Sequence, residues 1–122
     1  MSVLNLVDSS GWLEYLTGTD RARLYSPAIK DKGNLIVPVI SIYEVVKRIL
    51  REGNDTDAKL AVHAMTEGRL INLDLSLVLD AVRYKLPLAD SIIYATAQRF
   101  DAMLWTQDDH FESLPMVKYF VK

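Results

Sequence analysis

Four acidic residues stand where carboxylates from distant segments could gather. Asp8 directly follows the apolar run Val3–Val7, and Glu44 lies about one turn into the segment after Leu35–Val39. Asp90 comes soon after Pro87, and Asp108 follows Ala102–Trp105 by a few residues. Carboxylates held close together repel, and desolvation adds to the cost, so such a cluster persists only if it takes up protons or cations. Oxygen ligands, with no cysteine and no well-placed histidine pair, suit Mg²⁺ or Mn²⁺ better than zinc. A cation held in this way can activate a water for in-line attack on a phosphodiester and neutralise charge on the leaving oxygen.

Each acid also has a structural alternative. Asp8 before Ser9-Ser10-Gly11 fits a helix N-cap. Ser41-Ile42-Tyr43-Glu44 has the spacing of a capping box. Asp90 in a first helical turn is favoured by the helix dipole. Asp108 or Asp109 fits a cap on the turn that carries Phe111. For Glu44 the two roles are compatible, because a carboxylate has two oxygens.

The elements that must position these acids alternate in type. Short apolar runs predict strands at Val3–Val7, Leu35–Val39, Arg69–Leu73, Ala102–Trp105 and Val117–Val121. Between them, helices are predicted around Trp12–Leu16 and over Asp20–Lys30, with Ser26-Pro27 a point of interruption. Further helices are expected over Ser41–Glu52, Asp55–Glu67, Ser76–Leu86 and Leu88–Arg99. Leu60, Val62, His63 and Met65 are placed on or near the inner face of the fourth of these six. This order implies a three-layer α/β/α domain with a central, mostly parallel sheet of about five strands. In open sheets of this kind the functional crevice lies beyond the carboxyl ends of the strands, which is where the acids fall.

The bulk properties narrow the classes. With 122 residues, half of them hydrophobic, the chain reads as one domain over residues 1–122 with a real core. The absence of cysteine excludes a disulfide framework and a thiolate metal site. No run approaches a membrane span, and the start MSVLNLVDSSGW lacks the basic region of a signal peptide, so a cytoplasmic location without membrane attachment is expected. The net charge of −2 argues against coating nucleic acid by bulk charge but leaves room for a local basic patch.

Four segments together resemble the PIN-domain ribonucleases, and most closely the VapC toxins of type II toxin–antitoxin systems. They are Val7-Asp8-Ser9-Ser10, Ile42-Tyr43-Glu44-Val45, Leu88-Ala89-Asp90-Ser91 with its alanine-containing continuation, and Thr106-Gln107-Asp108-Asp109-His110-Phe111. Their order and spacing fit over essentially the whole chain. The resemblance implies a PIN-like fold and a metal-dependent endoribonuclease using Mg²⁺ or Mn²⁺. It makes Asp8, Glu44, Asp90 and Asp108 the catalytic, metal-holding set, with Thr106 and Ser9 in support. It also implies an RNA substrate, a cognate antitoxin and a homodimer. The alternatives are a PIN nuclease that processes RNA outside such a system and a non-catalytic module on the same fold. A phosphoacceptor domain would need a lysine after the fourth strand, and Asp74 at the end of the third looks instead like a cap before Ser76. An Asp-nucleophile phosphatase would need Asp-x-Asp, where Asp8 is followed by two serines.

Other residues carry weaker expectations. Lys47, Arg48 and Arg51 share a helix with Glu44 and could track phosphates, although for any single one of them an ordinary solvated face is the commoner explanation. His110 could contact a phosphate, whereas His63 reads as core or partly buried. Trp12, Tyr15 and Tyr43, close in sequence to the acids, are candidate antitoxin contacts if they are exposed.

Overall fold

The structure is a computed structural model and describes residues 3–122. Five strands form one sheet: β1 (Asn5–Val7), β2 (Leu35–Pro38), β3 (Arg69–Ile71), β4 (Met103–Thr106) and β5 (Val117–Tyr119). Their order is β3-β2-β1-β4-β5, and every pairing is parallel. The helices are α1 (Ser9–Thr17), α2 (Ala22–Lys30), α3 (Val39–Glu52), α4 (Asp55–Met65), α5 (Leu75–Ala81) and α6 (Leu88–Arg99). From β1 the chain steps outward through β2 and β3, then returns to the other side of β1 as β4. The gap between β1 and β4 is thus the switch point at which open parallel sheets form their crevice.

Alternation along the strands divides the core into two layers. Val7, Leu35 and Val37 pack with Trp12, Tyr25, Ala28, Ile29 and Val45 on the face covered by α1 to α4. Leu6, Ile36 and Leu104 pack with Leu77, Ile93, Ala97 and Phe111 on the face covered by α5 and α6. Helix α6 is buried continuously from Ser91 to Ala97, so Asp90 stands at the head of the most enclosed helix.

Several local expectations change. Pro27 sits inside α2 without breaking it. Helix α4 buries Ala58, Ala61 and Met65, while Leu60 and Val62 are exposed and His63 is exposed rather than core. The buried face of α4 is thus made by two alanines and Met65, the one of the four expected inner residues that is buried. Helix α5 ends at Ala81, well short of Leu86. Asp74 does cap it, accepting from the Leu77 N–H at 2.8 Å.

Gly11 marks the tightest packing near the acids. A Cβ there would lie 2.6 Å from the Tyr25 ring and 2.7 Å from Val7 Cγ1. Gly11→Ala is therefore expected to lower unfolding stability by about 1–3 kcal/mol through overpacking. A denaturation midpoint equal to that of the wild type would contradict this close approach of α1 to α2.

Candidate metal centre

Asp8 is the first residue beyond β1, with its backbone still tied to the sheet by an N–H donated to the Trp105 carbonyl. Its side chain caps α1, accepting from the Gly11 N–H at 2.9 Å. The Thr106 hydroxyl donates to its other oxygen at 2.6 Å, and the Ser10 hydroxyl lies 3.1 Å from both. Burial nonetheless dominates and pushes the Asp8 carboxyl up to about 6, against the lowering effect of these donors.

Glu44 does not form the expected capping box. Helix α3 begins at Val39, two residues before Ser41, so Glu44 lies in the second turn. It instead accepts the Ser9 hydroxyl at 2.5 Å, joining α3 to α1. Ser41 Oγ is buried without a partner among the described residues. Glu44 and Asp90 are both held above the usual carboxylate range, chiefly by burial and then by neighbouring acids.

Asp90 occupies the first turn of α6, and Asp108 caps the short 3-10 turn Asp109–Phe111 by accepting from the His110 N–H. His110 Nδ1 lies 2.9 Å from Asp90 and 3.1 Å from Asp108. These two carboxylates raise the imidazole above its ordinary value, through the Asp90 hydrogen bond first and the Asp108 charge second. Asp90, Asp108 and His110 each offer a ligand atom within 4.8 Å of the others.

All four acids line one cleft of roughly 370 Å³. Ser9, Tyr43, Lys47, Arg48 and Arg51 line it as well, so α3 supplies both an acid and a row of cations. Thr106 stands behind Asp8 and also accepts the Asp108 N–H at 2.9 Å, bridging two of the acids. Trp12, by contrast, is fully buried and out of a partner's reach. Tyr15 is half-buried with its ring edge-on to Trp12, which leaves Tyr43 as the exposed member of that aromatic set.

Three supporting residues were not anticipated from the sequence. Gln107 is buried between Thr106 and Asp108; its oxygen accepts from Arg21 Nε at 2.5 Å and its amide donates to Glu14 at 2.8 Å. The Arg21 guanidinium also reaches the Phe120 and Val121 carbonyls. Its position between two residues of the Thr-x-Asp motif was the one available signal for Gln107. Nothing in the sequence pointed to Arg21 or Glu14 as its partners.

The buried charge has a measurable consequence. An acid raised by folding disfavours the fold once it ionises: the penalty is absent below its ordinary 3.8, grows with pH and is complete above about 6. For Asp8 it is about 3 kcal/mol. Asp8→Asn keeps an oxygen for Gly11, so in EDTA the variant is expected to be at least as stable as wild type at pH 7.5. Its advantage should shrink by pH 4. Unfolding midpoints at the two pH values test this, and a variant that fails to fold at pH 7.5 would make the Asp8 carboxylate structural.

Comparison with known proteins gives the fold a family. The chain is similar in structure to a protein of a toxin–antitoxin complex from Klebsiella pneumoniae, at 22% identity and a TM-score of 0.78, covering 93% of this chain and 95% of that one. It is also similar to VapC20 of Mycobacterium tuberculosis, described as a sarcin–ricin-loop-cleaving toxin, at 16% identity and a TM-score of 0.73, covering 90% and 94%. The same holds for a chain of DNA-bound VapBC from Salmonella typhimurium, at 9% identity and a TM-score of 0.75, covering 98% of each. At these identities the likeness is one of fold. Among curated protein sequences there is no match. The PIN domain model matches residues 6–116, a span that includes all four acids, and the chain belongs to the PIN domain family.

Proposed function

We propose that this protein is a metal-dependent endoribonuclease of the VapC toxin type, with Asp8, Glu44, Asp90 and Asp108 holding Mg²⁺ or Mn²⁺. The observation that carries this reading is the convergence of four carboxylates from four segments on one cleft that also bears Lys47, Arg48 and Arg51. Retaining like charges there has a cost that cation binding offsets, which disfavours a non-catalytic module. The donors fit hard divalent ions: carboxylate oxygens, with the His110 nitrogen beside two of them.

Such an ion, when bound, activates a water and neutralises charge at the scissile phosphate. The chain's own residues do the positioning. Thr106 and the Gly11 N–H fix both oxygens of Asp8, and Ser9 fixes one oxygen of Glu44 while its other stays available. His110, drawn to Asp90 and Asp108, supplies positive charge between them when protonated. Lys47 and Arg51 stand three and seven residues beyond Glu44, about 4.5 and 10 Å along the helix axis. They therefore suit phosphates flanking the reacting one.

The partners follow from the same reading. Family resemblance and the toxin–antitoxin neighbours support a small cognate antitoxin, with Tyr15 and Tyr43 the accessible aromatic candidates for its contact. A homodimer is part of the same proposal. A neighbouring antitoxin gene would separate this reading from an RNA-processing nuclease.

The deciding experiment is cleavage of RNA by wild type and Asp90→Asn with Mn²⁺, with Mg²⁺ and with EDTA. Wild type alone should cut, only with metal, and the variant should lose more than roughly 100-fold, beyond the loss of an outer-shell partner. Thr106→Val, which removes a support of Asp8, should lose about 10–100-fold. Cleavage that survives EDTA would remove the metal mechanism. Because the apo acids hold protons above their ordinary range, Mn²⁺ affinity should rise between pH 5.5 and 7.5 with protons released. A calorimetric titration showing flat affinity would count against these ligands.

A further inference from the structure

Tyr43 is 59% exposed, yet it lines the cleft beside Glu44. Metal holding gives it no task. Tyr43, Lys47 and Arg51 follow one another at four-residue spacing on α3, so they form a row along one side of the helix. Lys47 Nζ lies 5.5 Å from the Tyr43 ring centroid and 3.5 Å from its hydroxyl. An aromatic face open to water beside cations can take a nucleobase on the ring and its phosphates on the ammonium and guanidinium groups. Bases inside a duplex already stack on both sides, so an unpaired or extruded base is the kind that reaches such a ring.

The surroundings leave room for the rest of a strand. A second cleft shares Ser10 and Asp108 with the first and is lined by Tyr119, Lys122 and Asp109. A chain laid across the acids can therefore continue on the far side. The charges favour nucleic acid at Tyr43: the nearest residues of its row, Lys47 and Arg51, are both cationic, and both are exposed.

We propose that Tyr43 is a stacking platform for an unpaired base next to the scissile phosphate. This rests on the nuclease reading above. The test is kcat/KM with Mn²⁺ on one unstructured oligoribonucleotide, alone and annealed to its complement, for wild type, Tyr43→Phe and Tyr43→Leu. The side chain is exposed, so both variants should fold, and thermal unfolding verifies this.

The unpaired strand should be cut at least about 10-fold better than the duplex, since opening a pair costs a few kcal/mol. Tyr43→Leu should reduce kcat/KM on it roughly 5- to 160-fold, the range of base–aromatic stacking, while Tyr43→Phe stays within about twofold. Anisotropy of the labelled strand on Asp90→Asn protein, with and without Tyr43→Leu, should show the loss as weaker binding. Equal cutting of duplex, or a leucine variant within twofold of wild type, would overturn the platform while leaving the nuclease reading intact. A phenylalanine variant as weak as leucine would also overturn it, replacing stacking by a role of the hydroxyl. If Tyr43→Leu weakened only the binding of an antitoxin, the ring would belong to that partner instead. Wild type that cuts no RNA under any metal condition would remove the nuclease reading and the platform with it.

Discussion

A carboxylate almost out of solvent at the end of the central strand sets the terms for the structure around it. Asp8 is 4% exposed, and a buried carboxylate must find donors or keep its proton. Its three donors come from two elements, α1 and β4. The head of α1 supplies an N–H, Ser10 a hydroxyl, and β4 the Thr106 hydroxyl. Meeting all of them requires β4 beside β1 and requires α1 to start at the strand's end. It also requires no side chain at position 11, where Tyr25 and Val7 close in. The parallel pairing of β1 with β4 and the packing of α1 on α2 are thus tied to one oxygen pair.

The remaining acids are held more loosely and in a graded way. Glu44 shares a hydroxyl with α1, and Asp90 and Asp108 share an imidazole. Side-chain exposure rises from 18% at Asp90 to 31% at Asp108, so the cleft runs from a fixed, dry end at Asp8 to a wetter one. Across from the acids, α3 carries its cations within the same cleft. On the proposed reading, a chain with net charge −2 would approach a polyanion locally, because exposed charges beyond roughly 8–10 Å are largely screened in physiological salt while nearby ones are less so.

What the sequence made legible was whatever depends on period and order. Apolar runs broken by helical stretches implied a parallel sheet, and the strand ends implied where Asp8 and Asp108 would fall. The fold that emerged is parallel throughout. Less legible were choices made by tertiary packing. Ser41 and Glu44 have capping-box spacing, but Pro38 starts the helix earlier and the box is never made. Trp12 sits close to the acids in sequence, yet the i to i+3 geometry of α1 turns it inward. His63 belongs to a helix whose inner face is made by two alanines and Met65, and a hydrophobicity pattern weights alanine less than leucine and valine. Tyr43, one residue before an acid, proved to be the exposed aromatic.

The least legible feature is also the one that stabilises the wet end of the site. Gln107 stands between Thr106, which supports Asp8, and Asp108, which faces solvent. Alternation along β4 would give it no special task, but it is buried, and its amide is satisfied at both ends by Arg21 and Glu14. Arg21 in turn reaches the two carbonyls after β5. The segment carrying Asp108 is therefore clamped by α1, by the start of α2 and by the end of the sheet, none of which touches the acid itself. The clamp adds to the hold that the His110 N–H already has on this partly buried carboxylate, and an ion held by several ligands gains from donors already in place. On the proposed reading, the Gln107 clamp would supply that preorganisation for Asp108, which lines the cleft while one of its oxygens caps the turn through the His110 N–H.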